Sequence, residues 1–366
     1  MKRCSKCILP ANYPGIVFDK HGVCSHCNTH QAYTYLGGEV LKNHILAHAK
    51  TKPQSNYHCG VGFSGGRDSS YLLYYLSHVL NLKVVAFTID NGFIPEETFS
   101  NIKNITRLLG VDLAIVRRDQ AQKLIKHHIS TWCHEPSVGM VPALCVGCRS
   151  GLAEGLYTLA VKHDVPVFIS GSTPFEGHGY KTNLMRHNPN SRSKSSLMLG
   201  YSLEIVKNPK WALHLPSLTT QFNEFRSFFG GRYLNKMAER GTKVISPYFQ
   251  YIRWEEKEIV STLENRLNWK KNSMVKSTWR GDCDVALLKL YLYKHILGFN
   301  DKDDGLSDLI RDGQLSREEA LNRIEEESYV PDIAIKNIFD RLKLNYGDFE
   351  TALEKLNRRK ATLATV

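Results

Sequence analysis

The stretch "CGVGFSGGRDSSYLLYYLSHVL", residues 59–80, decides the fold. A short apolar run ends at Ser64, two glycines follow, and Asp68, Ser69 and Ser70 open a helical segment. This reads as a buried strand, a glycine turn and a helix. Gly65 and Gly66 allow a ligand to approach the backbone closely and permit conformations closed to other residues. The free N–H groups and positive end of the helix that follows suit an anion, and the hydroxyls of Ser64 and Ser69 add phosphate contacts. The Asp68 carboxylate would repel a phosphate, so it either holds a magnesium ion or caps the helix. The turn lacks the Lys-Ser/Thr of the common nucleoside-triphosphate loop, and it lacks the G-x-G-x-x-G of dinucleotide sites.

Strand and helix patterns continue to alternate beyond this turn. "LKVVAFTID" precedes a helix starting near Pro95, "VDLAIVR" precedes one over about 119–132, and "CVGCRSGLAEGLYTLAVKHD" precedes the short strand "VPVFIS". Apolar strands alternating with helices predict an α/β fold with a parallel sheet covered on both faces. Ligands of such sheets bind beyond the carboxyl ends of the strands. A polar helical stretch over 31–52 leads into this domain. Residues 186–196, "RHNPNSRSKSS", read as a loop or flexible crossing, and beyond "KVISPYFQYIRW" the pattern is helical. Ser316 and Glu319 form a capping box, and the acids of "DKDD", residues 301–304, are expected to cap a helix and sit in solvent. The expected organisation is a knuckle over 1–30, the α/β domain over 31–250 and a helical subdomain over 251–366.

The chain has 366 residues and a formal charge of +12, with 42% hydrophobic and 23% charged residues. No apolar run approaches the ~18 residues of a membrane span, and "MKRCSKCILP" lacks a signal-peptide core. A cytoplasmic location is expected. The charge allows a nucleic-acid partner or a polyanionic small substrate.

Nine cysteines in such a chain point to metal, chemistry or burial before disulfides. Cys4, Cys7, Cys24 and Cys27 make two C-x-x-C pairs sixteen residues apart, the pattern of a tetrahedral structural zinc site. The segment between them is poor in apolar residues, so the metal would supply much of its folding energy. Cys145 and Cys148 stand at a helix start, where the positive end favours thiolates. They fit cluster or zinc ligands, a redox pair or a packing feature. Arg149 fits a phosphate clamp or a surface salt bridge. His134, His178 and His187 stand singly and carry no site.

Ser64, Gly65, Gly66, Asp68 and Ser69 resemble the SGGxDS signature of the PP-loop ATP pyrophosphatase superfamily, whose fold is the adenine nucleotide alpha hydrolase-like sheet. The resemblance implies ATP with Mg2+, adenylation of a substrate oxygen, and its displacement by nitrogen or sulfur with release of AMP. It places Thr88, Asp90 and Asn91 of "FTIDNGF" beside the adenosine, and Ser170 and Gly171 of "ISGSTPFEGHGY" near the ribose and acceptor. In PP-loop tRNA thiolases a pair placed like Cys145 and Cys148 belongs to a three-cysteine iron–sulfur site, which Cys59, Cys133 or Cys283 would complete here. Glu176 and Tyr180, in the loop after a strand, are candidates to hold the acceptor.

Over nearly its full length the chain resembles the N-acetyl sugar amidotransferase family. The resemblance rests on "CSKCILPANYPGIVFDKHGVCSHC", "YIRWEEKEIVSTLENRLNWK" and the segment from "STWRGDCDVALLKLYLYKHILGF" onward. It implies an acceptor acetamido group on a nucleotide sugar and ammonia from a separate glutaminase system. Trp279, Arg280 and Asp282 then either contact the acceptor or dock the helical tail. "GSTPFEGHGY" departs from the family's Asn- and Glu-containing segment. The alternative expectation is therefore sulfur transfer to a small heterocycle, amide or tRNA, with a sulfur donor as partner and Cys145 or Cys148 as persulfide carrier. A non-enzymatic recruitment role is the last alternative.

Overall fold

A computed structural model describes residues 2–177, 179–188, 190–230 and 232–364, with the side chains of 224–230, 232, 234 and 360–364 outside the description. Five strands form one parallel sheet in the order β3-β2-β1-β4-β5: β1 Cys59–Gly62, β2 Val84–Asp90, β3 Asp112–Arg117, β4 Val167–Ile169 and β5 Lys243–Ile245. Strand order reverses direction at β1, so the crevice beside it lies at the carboxyl edge of the sheet, directly over the glycine turn. Residues 84–89 of β2 are all buried, the continuous apolar run expected of a strand covered on both faces. Its register, Cys59 opposite Val84 and Gly62 opposite Phe87, brings the ends of β1 and β2 level.

Helix α1, Gly38–Ala49, is shorter than the expected 31–52. The backbone N–H groups of Leu36 and Gly37 donate instead to the carbonyls of Gln250 and Tyr251, which holds the chain extended before it. Helices α2 (Arg67–Tyr74), α3 (Glu96–Leu109) and α4 (Asp119–His134) follow β1, β2 and β3, and α5 (Val146–Lys162) precedes β4, as the periodicity predicts. Between β4 and β5 the chain forms helices at Gly179–Met185, Lys194–Lys207 and Leu215–Gly230, elements the sequence pattern leaves unassigned. β5 was likewise unmarked, because three residues are too few to show a period.

The tail comprises α6 (Asp284–Leu297), α7 (Asp301–Arg311), α8 (Arg317–Glu327), α9 (Asp332–Leu342) and α10 (Tyr346–Ala364). The expected capping box at Ser316 and Glu319 is present. The acids at 301–304 do not sit in solvent. Asp301, Asp303 and Asp304 are buried, at 5%, 0% and 4% exposure. Each has a polar partner that makes burial tolerable: Tyr180 and Lys181 for Asp301, Arg3 at 2.7 Å for Asp303, and the Tyr13 hydroxyl at 3.0 Å for Asp304. A charge run reads as solvated only when its partners, here 120 to 300 residues away in sequence, are out of view. Among the described residues no helix is long and apolar enough to cross a membrane.

Removing one member of a buried ion pair strands the other, at a cost of ~3–5 kcal/mol. Asp303→Ala also removes the Asp303 half of the capping box with Asn300. We expect it to lower the urea midpoint of the full-length chain, whereas Asp340→Ala, on the tail but outside this network, leaves the midpoint within error.

Candidate active site and metal centre

The knuckle brings its four sulfurs together. Cys4, Cys7, Cys24 and Cys27 are buried, with their ligand atoms all within 4.8 Å of one another. Cys7 Sγ lies 3.7 Å from Cys24 Sγ, and Cys4 Sγ 4.0 Å from Cys27 Sγ. Zinc–sulfur bonds of ~2.3 Å in a tetrahedron require sulfurs about 3.8 Å apart, so the residues fit one ion. The backbone N–H groups of Lys6, Cys7 and Cys24 point at Cys4 Sγ at 3.2–3.4 Å and would stabilise a thiolate. The knuckle leans on the tail. The Arg317 guanidinium donates to the carbonyls of Cys4 and Cys7, and the Ile8 N–H donates to Ser307 Oγ at 3.3 Å.

The glycine turn opens into a cavity of about 420 Å³ lined by Ser64, Gly66, Asp68 and Ser69 on one side. Gly65 has φ +75°, and a Cβ there would lie 2.6 Å from Ile102 and 2.8 Å from the Thr98 carbonyl, so no other residue fits. Ser64 Oγ accepts from the Gly66 N–H at 3.2 Å and meets Ser69 Oγ at 3.1 Å, closing the turn over the start of α2. Ser170 and Gly171 line the same cavity from the end of β4.

Arg67, the variable position of the signature, is 3% exposed and lies between the rings of Trp254 and Trp279, 4.7 and 4.4 Å from their centroids. It donates to Asp68, to Glu256 at 3.1 Å and to Thr278 at 2.9 Å. Asp68 is therefore not a helix cap. Its carboxylate accepts from both Arg67 nitrogens at 2.9 and 3.3 Å and from the Trp254 indole N–H at 2.9 Å.

Three of the expected nucleotide and acceptor residues point elsewhere. The Thr88 hydroxyl is buried and donates to the Phe63 carbonyl at 2.7 Å. Asp90 accepts from the Gly92 N–H at 2.8 Å. The Tyr180 hydroxyl donates to Asp301 at 2.6 Å. None of the three lines the cavity, because each strand-end or helix side chain is spent on holding its own turn or neighbour. Asn91, Arg149, Glu176 and Arg280 do line it, with Arg280 3.7 Å from Glu176. His178 lies outside the described residues.

Cys145, Cys148 and Cys283 line the same cavity. Asn91 Nδ2 donates to Cys148 Sγ at 3.0 Å and lies 3.7 Å from Cys283 Sγ. Of the candidate third cysteines, Cys283 shares the cavity and Cys59 and Cys133 do not. Among the described residues the knuckle is the group whose sulfurs converge within reach of a single ion; the cavity trio stands wider. Lys289, which sequence reasoning missed, donates to Cys145 Sγ at 3.0 Å. A lysine on an amphipathic helix reads as solvent-facing, and only the packing of α6 against the short helix Val138–Cys145 turns it inward. Burial pushes the Cys145 thiol up, but the charges of Lys289 and Arg149 overcome this and bring it down to about 7. Burial takes Cys148 up to about 11 and Cys283 up to about 12.

With this geometry in place, residues 288–363 match the C-terminal domain of the WbpG-like lipopolysaccharide biosynthesis proteins. An uncharacterised protein of Methanocaldococcus jannaschii is 23% identical over 344 residues, covering 93% of this chain and 98% of its own. Among solved structures the chain is similar to the U34-tRNA thiolase NcsA of Methanococcus maripaludis with its [4Fe-4S] cluster (17% identity, 90% of this chain and 91% of that one, TM-score 0.34). It is also similar to the NMN synthetase of Francisella tularensis (12%, 78% and 89%, TM-score 0.37) and to the NH3-dependent NAD synthetase of Campylobacter jejuni (15%, 63% and 91%, TM-score 0.28).

Because the thiolate is the reactive form, Cys145 is expected to be alkylated by iodoacetamide first among the cavity cysteines, with a rate that rises through a midpoint near pH 7. Lys289→Met removes the adjacent ammonium and should move that midpoint upward. Peptide mapping of the alkylated protein reads both effects, and an unmoved midpoint would remove Lys289 from the account.

Proposed function

We propose that the chain is an ATP-dependent transferase of the PP-loop type, which adenylates a carbonyl or amide oxygen of an acceptor and exchanges that oxygen for nitrogen or sulfur, releasing AMP and pyrophosphate. The observation that carries this reading is the single cavity shared by the Ser64–Gly66–Ser69 turn and the Cys145–Lys289–Arg149 wall. Phosphates would lie on the turn, where the first turn of α2 leaves N–H groups without helical partners. Arg149 and Lys289 bring positive charge into the same cavity, where they would stabilise the negative charge that develops on an oxyanion and on the departing AMP. Ser170 and Gly171 border the space left for nucleoside and acceptor.

Two finer readings each rest on one observation. The match of residues 288–363 to a lipopolysaccharide biosynthesis domain supports an N-acetylated nucleotide sugar as acceptor, with nitrogen delivered as ammonia from a separate glutaminase. The low thiol pKa of Cys145, with Cys148 one helical turn further on, supports sulfur transfer, the acceptor being a small heterocycle, an amide or tRNA. Three cysteines on one wall also offer the donor set for an iron–sulfur cluster, which takes cysteine thiolates. The knuckle fits structural zinc on either reading.

Both readings share the adenylation, so the products decide between them. Incubation of the metal-replete protein with ATP, magnesium, candidate acceptors and either ammonium or sulfide should yield AMP and pyrophosphate. ADP with inorganic phosphate would refute the class. Exchange of oxygen for NH lowers the acceptor mass by about one unit, and exchange for sulfur raises it by about sixteen, as the atoms exchanged require. Cys145→Ser is expected to keep ammonia-dependent turnover on the amidotransferase reading. On the sulfur reading it abolishes the product while pyrophosphate exchange persists.

A further inference from the structure

A magnesium ion is the usual companion of ATP phosphates, and the signature aspartate is its expected ligand. Asp68 does not suit that task in this chain. Its carboxylate lines the cavity but already accepts from two Arg67 nitrogens and the Trp254 N–H, so its charge is neutralised by the buried guanidinium.

A different carboxylate stands at the turn. A Cβ built on Gly66 would lie 3.0 Å from Asp282 Oδ2 and 3.2 Å from Asp282 Cβ. Asp282 therefore presses directly on the glycine that the phosphates must approach, and this contact is a second reason that position 66 carries no side chain. Several features put it there. Arg280 adopts φ +55°, a left-handed conformation rare for a non-glycine residue and a mark of backbone held in place for a purpose. Asn272 Nδ2 donates to the Gly281 carbonyl at 3.0 Å, and the Asp284 N–H donates to the Phe93 carbonyl at 2.9 Å, fixing the loop on both flanks of Asp282. Asp282 is half-buried and lines the cavity. Among the described residues no cation or donor comes within ion-pair or hydrogen-bond distance of its carboxylate, although Arg280 is its neighbour but one.

A bare carboxylate beside a phosphate loop is repulsive. Two unit negative charges 4 Å apart repel by about 4 kcal/mol at an effective dielectric of 20. A divalent cation between them reverses the sign, and Mg2+ typically binds through one or two carboxylates together with substrate phosphates. We propose that Asp282, supplied by the segment that leads into the helical tail, is the protein carboxylate that takes the nucleotide's magnesium ion, and that Asp68 is a positioning residue that fixes Arg67 and the start of α2. This rests on the ATP reading above and adds to it a metal ligand from outside the signature. The tail then completes the nucleotide site, since a chain ending before residue 282 would have the glycine turn without its cation ligand.

The test compares ATP affinity with and without millimolar Mg2+ for the full-length, knuckle-loaded protein, by calorimetry in magnesium-depleted buffer free of chelator. Wild type should bind ATP more tightly with Mg2+. Asp282→Asn should lose this enhancement by roughly 10-fold or more, the scale on which even outer-shell changes weaken metal sites. It should also bind magnesium-free ATP at least as tightly as wild type, because a repulsive charge has gone. Asp282→Glu keeps a carboxylate and should keep most of the enhancement. With Mn2+ in place of Mg2+, the paramagnetic resonance spectrum of the ATP complex should differ between wild type and Asp282→Glu, which decides the matter should the Asn variant fail to fold. Full magnesium enhancement in Asp282→Asn, or an unaltered Mn2+ spectrum in Asp282→Glu, overturns this assignment alone. A wild-type protein that binds no ATP in either buffer overturns the function proposed above and this assignment with it.

Discussion

The buried guanidinium of Arg67 is the constraint around which this structure is arranged. An arginine at 3% exposure in the first turn of a helix would be strongly destabilising without compensation. Here it is compensated on every side: two carboxylates, one threonine hydroxyl and two indole faces. Cation–π contacts with desolvated indoles contribute ~2 kcal/mol or more, and the charge-assisted hydrogen bonds are stronger than neutral ones. Except for Asp68, all of these partners come from residues 254–279. The glycine turn thus takes its orientation from chain nearly 200 residues further on.

That dependence propagates. Glu256 also accepts from Arg323 at 2.8 Å and from the Trp279 indole, so α8 is tied to the same ion. Trp269 donates its indole N–H to the Gly65 carbonyl at 3.0 Å, fixing the peptide whose φ must stay positive. Trp279 in turn rests against Gly305 of α7, and Lys302 donates to the Trp279 carbonyl. The other face of α7 carries Asp303, Asp304 and Ser307 toward the knuckle. A continuous set of contacts therefore joins the four-cysteine centre to the phosphate turn through one helix of eleven residues. The knuckle is a clasp on the helix that backs the site, not an outlying appendage.

How much of this was legible in the sequence differs by kind of signal. The first four strands and the helices between them were readable because each carries a local period and a local stop signal. The four-cysteine metal-binding cluster was readable because chelation imposes spacing on neighbours in sequence. The residues around the turn were legible only as far as the signature reaches. Arg67 occupied its variable position, and no local pattern announces that an arginine will be stacked between tryptophans from another part of the chain. Lys289 was missed and the acids at 301–304 were misread for a shared reason: charge on a helix is assigned to solvent unless its partner is known. Thr88, Asp90 and Tyr180 show the converse, since polar residues at strand and helix ends are as readily consumed by their own turns as offered to a ligand.

The nine cysteines make the same point through chemistry. Four are placed so that their sulfurs share one centre, and their reactivity would be quenched by metal. At Cys59 burial alone, and at Cys133 burial helped by the charge of Asp348, pushes each thiol up to about 12, which makes them inert packing at neutral pH. The three in the cavity begin from the same intrinsic acidity yet diverge. Burial raises all three. At Cys145 the charges of Lys289 and Arg149 outweigh it and bring the thiol down to about 7; at Cys148 the Asn91 hydrogen bond and the same cations offset it only in part; at Cys283 the neighbouring Cys148 and Asp282 charges add to it. One cavity thus holds a thiolate-prone cysteine beside two that stay protonated at neutral pH, a distinction set by where the cations pack and not by the spacing of the cysteines.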